Sequence, residues 1–213
     1  MQGNKLDKVI EEKDLGILIS NNFKVSNQCR KAANKGNQIL GLISRTISCK
    51  KGKVLLNLYK ALVRPHLEYC IQAWRPHSKK DIEVLERVQR RATRMVEECR
   101  GKEYEERLKI MGLVSLETRK VRADLLEVYK ILSGLEGIDE TKLFRRHISA
   151  TRGHSMKLYK ERVNRDVLKF SFANRVVEMW NKLPEEIISA KGLNIFKNRL
   201  DKYLRKNKGI HEC

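Results

Sequence analysis

The sequence predicts a mainly α fold, and three observations predict it. Apolar residues recur at three- and four-residue spacing along most of the 213 positions, as in Val54, Leu55, Leu58, Tyr59, Leu62 and Val63. Only one short run, Leu15-Gly16-Ile17-Leu18-Ile19, reads as a buried strand, closed by a turn at Ser20-Asn21-Asn22. Residues that start and stop helices punctuate the periodic stretches: Ser26, Ser78 and Ser115 before them, Gly101, Gly112 and Gly134 after them. The expected architecture is a helical bundle over 26–134 with a short β element in 1–25. A basic loop or linker follows over 135–164, and a smaller C-terminal α(+β) subdomain over 165–213.

Each element has its own signal. Phe23 and Val25 alternate with polar neighbours and extend the strand past its turn. Ser26 caps a helix to about Arg45, with Cys29, Ala32, Ala33, Ile39, Leu40 and Ile43 inward and with Gly36 and Gly41 weakening it. The periodic segment 53–64 meets Pro65, which kinks or restarts it, and Leu67, Cys70, Ile71 and Trp74 carry the period on to Arg75-Pro76. Ser78, with Asp81 three residues on, opens a helix whose inner stripe is Ile82, Leu85, Val88, Ala92, Met95 and Cys99. A short helix over 103–111 and a long one from Ser115 to Leu132 follow. The pattern then fades to about Asn164, with a short strand near Lys157–Tyr159. It returns in a helix carrying Val176, Val177, Trp180 and Leu183, and in a last one from about Asn194 to Lys206.

Hydrophobic residues make up 41% of the chain and charged residues 34%, which supplies a core and leaves much solvated surface. No run approaches the ~20 apolar residues of a membrane span, and the opening residues lack the apolar core of a signal peptide. Neither a membrane nor secretion is expected. Five scattered cysteines without a Cys-x-x-Cys suit reduced thiols inside a cell. His66 and Cys70, four apart, have no second close pair to complete a zinc site, so no metal is expected.

The net charge of +20 points to a polyanionic partner, or to a basic protein whose charge is merely solvated. Residues 1–25 are balanced, 26–140 carry +9 and 141–213 carry +11. Three clusters are candidates for phosphate contact. Arg30, Lys31 and Lys35 lie opposite the apolar side of the first helix in a segment, 26–46, that contains no Asp or Glu; Lys50, Lys51 and Lys53 extend it. Arg87, Arg90, Arg91 and Arg94 form a stripe opposite Leu85 and Val88, although Glu83–Arg87 and Glu86–Arg90 spacing equally suits intrahelical ion pairs. Arg145, Arg146, Arg152 and His154 lie in a Gly-containing loop near Tyr159, a composition suited to single strands and equally to a plain connector. Trp74 and Trp180 follow helical spacing and read as core.

No phosphate-binding Gly-rich loop and no Gly-x-Ser-x-Gly is present. The adjacent acids Glu11-Glu12, Glu97-Glu98, Glu105-Glu106 and Glu185-Glu186 do not converge on a metal when consecutive on a helix, and read as solvated faces. No self-contained catalytic centre is expected, and no catalytic residue is assigned.

Read whole, the chain resembles the carboxy-terminal part of the reverse transcriptase of LINE-type (non-LTR) retrotransposons of the jockey and chicken-repeat groups. The resemblance rests on Glu12-Lys13-Asp14-Leu15-Gly16-Ile17, on the run from Leu58 to Cys70, and on Leu85-Glu86-Arg87-Val88-Gln89-Arg90-Arg91-Ala92-Thr93. It continues in Tyr104-Glu105-Glu106-Arg107-Leu108, Thr151-Arg152-Gly153, Trp180-Asn181-Lys182-Leu183-Pro184 and Phe196-Lys197-Asn198-Arg199-Leu200. The resemblance implies that 1–25 is a remnant of the palm sheet near the primer grip and 26–134 a thumb-like helical domain. It implies a role in RNA-directed DNA polymerisation, a nuclear location, and RNA or DNA duplex held by its backbone, with the palm of the same polyprotein as a further partner. The Phe/Tyr-Ala-Asp-Asp motif that holds Mg²⁺ in that family is absent from these residues, so the chain alone is expected to bind no cofactor and not to polymerise. A helical protein-interaction module, or an inert relic of a truncated element, is the alternative.

Overall fold

The computed structural model describes residues 8–147 and 153–207 and is mainly helical, with one small antiparallel sheet near the N-terminus. The chain divides into two compact units. The first holds the N-terminal part to Cys70 and Trp74–Leu116; the second holds Ile71–Ala73 and the chain from Glu117. The division at Leu116 precedes the long helix that the sequence grouped with the first bundle, and 135–164 falls inside the second unit.

In the first unit, strands β1 (Glu11–Asp14) and β2 (Ile17–Ser20) form a hairpin in the register Glu11↔Ser20 to Asp14↔Ile17. The expected strand from Leu15 is therefore shorter, because Leu15 (φ 44°) and Gly16 (φ 87°) form its turn. Two positive φ values at the centre of a two-residue loop match the twist of the flanking strands. The partner strand, Glu-Glu-Lys-Asp, carries no apolar alternation to announce it. Phe23 (φ 55°) turns the chain away instead of extending the sheet.

Helix α1 (Ser26–Thr46) buries Cys29, Ala32, Ala33, Gly36, Leu40 and Ile43, so the expected apolar side is the inner one, with Ile39 half-buried. Ser26 does not cap it: its hydroxyl donates to Asp81 Oδ2 at 2.7 Å, across 55 residues. Asp81, expected to complete a capping box with Ser78, is buried and used in this contact instead. Gly36 is a contact residue, since a Cβ there would lie 3.0 Å from Val88 Cγ1 and 3.3 Å from Leu67 Cδ2.

Helix α2 (Gly52–Leu58) runs into a π-helical turn, Tyr59–Val63, and then α3 (Arg64–Glu68) with Pro65 in its first turn. The wider turn lets the Arg64 N–H bond to Tyr59 O and absorbs the proline without breaking the segment. The expected continuation through Cys70 does not form: Cys70 is left-handed (φ 49°), and the short α4 (Ile71–Trp74) restarts after it. His66 and Cys70 thus do not share one helix. Helix α5 (Lys79–Arg94) ends earlier than Cys99, which lies in a 3₁₀ turn, Glu97–Cys99. Helix α6 (Tyr104–Ile110) closes at Gly112 (φ 59°).

The second unit is built on α7 (Leu116–Leu132), whose residues from Glu117 on belong to it, with α8 (Asp166–Lys169), α9 (Phe172–Asn181), α10 (Glu185–Ile188) and α11 (Leu193–Lys206). Trp180 and Phe196 are fully buried in its core, and Tyr129 stacks on Phe196 with ring centroids 4.1 Å apart. The described part of the segment expected as a loop is held in place. Asn181 Nδ2 donates to Leu158 O and Asn181 Oδ1 accepts from Leu158 N, while Arg146 and Leu158 form an antiparallel bridge. These partners lie too far apart in sequence for any local periodicity to show them. Trp74 and Trp180 are both core, as expected.

Candidate nucleic-acid interface

Three contacts fix how the two charged helices of the first unit lie. Ser26 meets Asp81, Gly36 packs on Val88, and Arg91 Nη1 donates to Asn37 Oδ1 at 3.0 Å. The partners advance together along both helices, so α1 and α5 run side by side in the same direction. Arg30 stands seven residues before Asn37, which returns it to nearly the same angle on the helix. Arg87, Arg91 and Arg94 lie within roughly 60° of one another on α5. Arg30 on α1 and these three arginines on α5 therefore border one strip, to which exposed Lys31 and Lys35 add from the outer arc of α1.

Exposure is high along this strip. Arg30, Lys31, Lys35, Arg87, Arg91 and Arg94 are all exposed. Internal partners remove part of the charge. Arg30 bonds Asn27, whose amide also meets Glu11, so one carboxylate of the hairpin lies close to this end. Arg87 pairs with Glu83 at 3.4 Å while leaving 71% of its side chain exposed. Arg90 also pairs with Glu83, and its guanidinium lies 5.0 Å over the Tyr104 ring. Glu86 points inward, where its carboxylate accepts from Tyr104 Oη, Gln89 Nε2 at 3.2 Å and Leu116 N at 3.0 Å.

The lysines after α1 divide by role. Lys50 Nζ donates to Ser44 O and Ile47 O, closing the C-terminal carbonyls of α1 where a cation also suits the helix dipole. Lys51 and Lys53 are exposed at the start of α2. Glu98, one of the acids expected to be merely solvated, accepts from Gly52 N at 3.1 Å, and these backbone hydrogen bonds lower its pKa. Arg45, in the last turn of α1, is exposed and falls between Asn34 and Gln38 on the outer arc; as a single base between Ser44 and Thr46 it carries no cluster signal in the sequence.

In the second unit Arg145 and Arg146 are exposed at the edge of the 146–158 bridge. Arg146 is held by Glu140 through two hydrogen bonds of 3.0 and 2.8 Å, and Arg145 lies 5.2 Å over the Tyr159 ring. Arg152 lies outside the described residues. His154 is not a surface group: it is buried, with Nε2 3.0 Å from Trp180 O, and burial lowers its pKa. Among the described residues no group of three or more His, Cys, Asp or Glu is placed to hold a metal, and Cys29, Cys49, Cys70 and Cys99 are not joined in disulfides. No helix of the described residues is long and apolar enough to cross a membrane.

Comparison of the chain with protein-family models, with curated proteins and with solved structures returns no match.

Proposed function

We propose that this chain is part of a LINE-type reverse transcriptase, the region that follows the palm, and that it grips an RNA or DNA duplex by the phosphate backbone without reading sequence. The observation that carries the binding half is the parallel packing of α1 and α5. It brings Arg30, Arg87, Arg91 and Arg94 to one exposed strip beside a helix whose segment 26–46 contains no acid. A solvated ion-paired surface would carry acids on both helices, whereas here only α5 supplies one, Glu83. The assignment to the retrotransposon family rests on the ordered motifs of the sequence. Without the Asp-Asp motif these residues hold no Mg²⁺ for nucleotidyl transfer, so the reading is one of binding and not of polymerisation. By the same family resemblance the protein works in the nucleus, with the polymerase palm as its neighbour.

Titration of a labelled RNA–DNA duplex across a salt series tests the reading. Affinity should fall steeply with salt, and changing Arg30, Lys31 and Lys35 to Ala should lower the slope of log affinity against log salt by roughly 2 to 3. Failure of the folded chain to bind the duplex at low salt would overturn the reading and leave a helical protein-interaction module or an inert relic.

A further inference from the structure

A second cationic feature lies in the first unit, where it adjoins the α1/α5 strip and shares Arg94 with it. The end of α5, the 3₁₀ turn after it and the start of α6 enclose a cleft of about 810 Å³. Arg90, Arg94, Arg100, Lys102 and Arg107 all line it. Glu103 and Glu105 line it as well, so the lining is cationic by three charges. Glu83 and Glu106 offset Arg90 and Lys102 from outside, the latter at 2.8 Å. Neither Arg94 nor Arg100 makes an ion pair with a described residue.

The base of the cleft is built. Tyr104 is held by Glu86 and by Gln89 Nε2 at 2.9 Å, and its ring carries two guanidinium groups, Arg90 at 5.0 Å and Arg107 at 5.6 Å. Arg107 is 7% exposed, yet among the described residues its buried Nε has no hydrogen-bond partner and its guanidinium makes one long hydrogen bond, 3.4 Å to Lys102 O. An arginine buried this far is ordinarily saturated by acceptors, because an unmet buried donor is costly. Arg107 itself lines the cleft, so a ligand seated there can supply an acceptor to its guanidinium. Guanidinium forks match the paired oxygens of a phosphate, and several lining one cleft favour a dianion over the single charge of a backbone diester. The volume exceeds that of a bare ion and suits a ligand of nucleotide size.

We propose that this cleft captures a phosphate monoester dianion, on the end of a nucleic-acid strand or on a free nucleotide, through Arg94, Arg100 and the buried Arg107. Backbone gripping by Arg30, Lys31 and Lys35 of α1 is a separate property, since none of them lines the cleft. The site stands or falls without the retrotransposon reading.

Calorimetric titration with a nucleoside monophosphate and with the bare nucleoside tests the site. The monophosphate should bind and the nucleoside should not. Arg100→Ala, on the exposed turn, should weaken the monophosphate about tenfold or more, the size of one charge-assisted contact. Arg107→Met should abolish binding and Arg107→Lys should restore part of it, with circular dichroism checking the fold of each. If the Arg107 variants fail to fold, Arg100→Ala alone decides. A strand with a 5′-phosphate that binds about tenfold tighter than its 5′-hydroxyl twin would name the strand end as the source. Equal strand affinity beside monophosphate binding would name the free nucleotide. Changing Arg30, Lys31 and Lys35 to Ala should weaken both strands alike and leave the monophosphate untouched. Indifference to the phosphate, or full affinity in Arg100→Ala, would overturn the proposal.

Discussion

Tyr59 donates its hydroxyl to Gln89 Oε1 at 2.7 Å, joining the π-helical turn to the buried side of α5 across 30 residues. Gln89 is completely buried, and its amide nitrogen is shared among Glu86, Tyr104 and Val114 O. A buried amide with both ends engaged fixes the relation of these segments more narrowly than apolar packing does, since each lost partner leaves a desolvated polar atom.

Glu86 is the charged member of this network. Glu86→Ala would leave the Tyr104 hydroxyl and the Leu116 N–H short of their acceptor. A loss of roughly 2–4 kcal/mol in urea denaturation is expected, against about 1–2 kcal/mol for Tyr104→Phe. A change below 0.5 kcal/mol in Glu86→Ala would mean that water replaces the carboxylate without cost.

The two glycines of α1 should respond in opposite directions. Gly41 has only Arg45 Nη1 near, at 3.8 Å, so Gly41→Ala should stabilise by about 0.5–1 kcal/mol through helix propensity. Gly36→Val would press on Val88 and Leu67 and should destabilise by roughly 1–3 kcal/mol. Thermal melts of the two variants would separate them, and similar shifts in both would show that α1 does not approach α5 closely at Gly36.

In the second unit Asp124 is fully buried and receives Arg175 through Nε and Nη2, both at 2.9 Å, while Arg175 also reaches Gln72 O at 2.8 Å. Arg175→Ala removes the two-pronged partner of a buried carboxylate and should cost about 3–5 kcal/mol. Replacing both residues by apolar ones, Asp124→Leu with Arg175→Met, should cost less than the single change. The order of the two denaturation midpoints is the test.

His154 gives the second unit an acid-side sensitivity. Burial lowers its pKa most, Lys157 acts in the same direction, and the Trp180 carbonyl and Glu185 oppose them. A folded value below the unfolded one means that the native state prefers the neutral ring. Its contribution is therefore complete above the ordinary imidazole pKa of about 6.5 and is lost as pH falls through the depressed folded value. Denaturation midpoints at pH 7.5 and 5.5 should differ more in the unaltered protein than in His154→Phe. An equal difference in both would place the acid sensitivity elsewhere.

Local chemistry was enough to locate most helices. The apolar stripe of α5, the stop at Gly112 and the long helix ended by Gly134 (φ 69°) all depend on neighbours within a few residues, and all were readable. The same holds for Trp180, whose position among Val176, Val177 and Leu183 follows one helical period. Capping was misread for one physical reason. Ser26, Ser78 and Asp81 have the residue types of caps, but Ser26 and Asp81 found each other across α1 and α5, a tertiary partner that no spacing rule contains.

The sequence by itself determined the helical class, the core faces and the cationic surplus, because periodicity and charge are properties of the chain. Tertiary structure alone decided which charges act together. Parallel packing of α1 and α5 set Arg30 on one strip with Arg91, capping consumed Lys50, and burial took His154 from the surface. Charge is counted along a chain, but its availability depends on what each side chain meets in space.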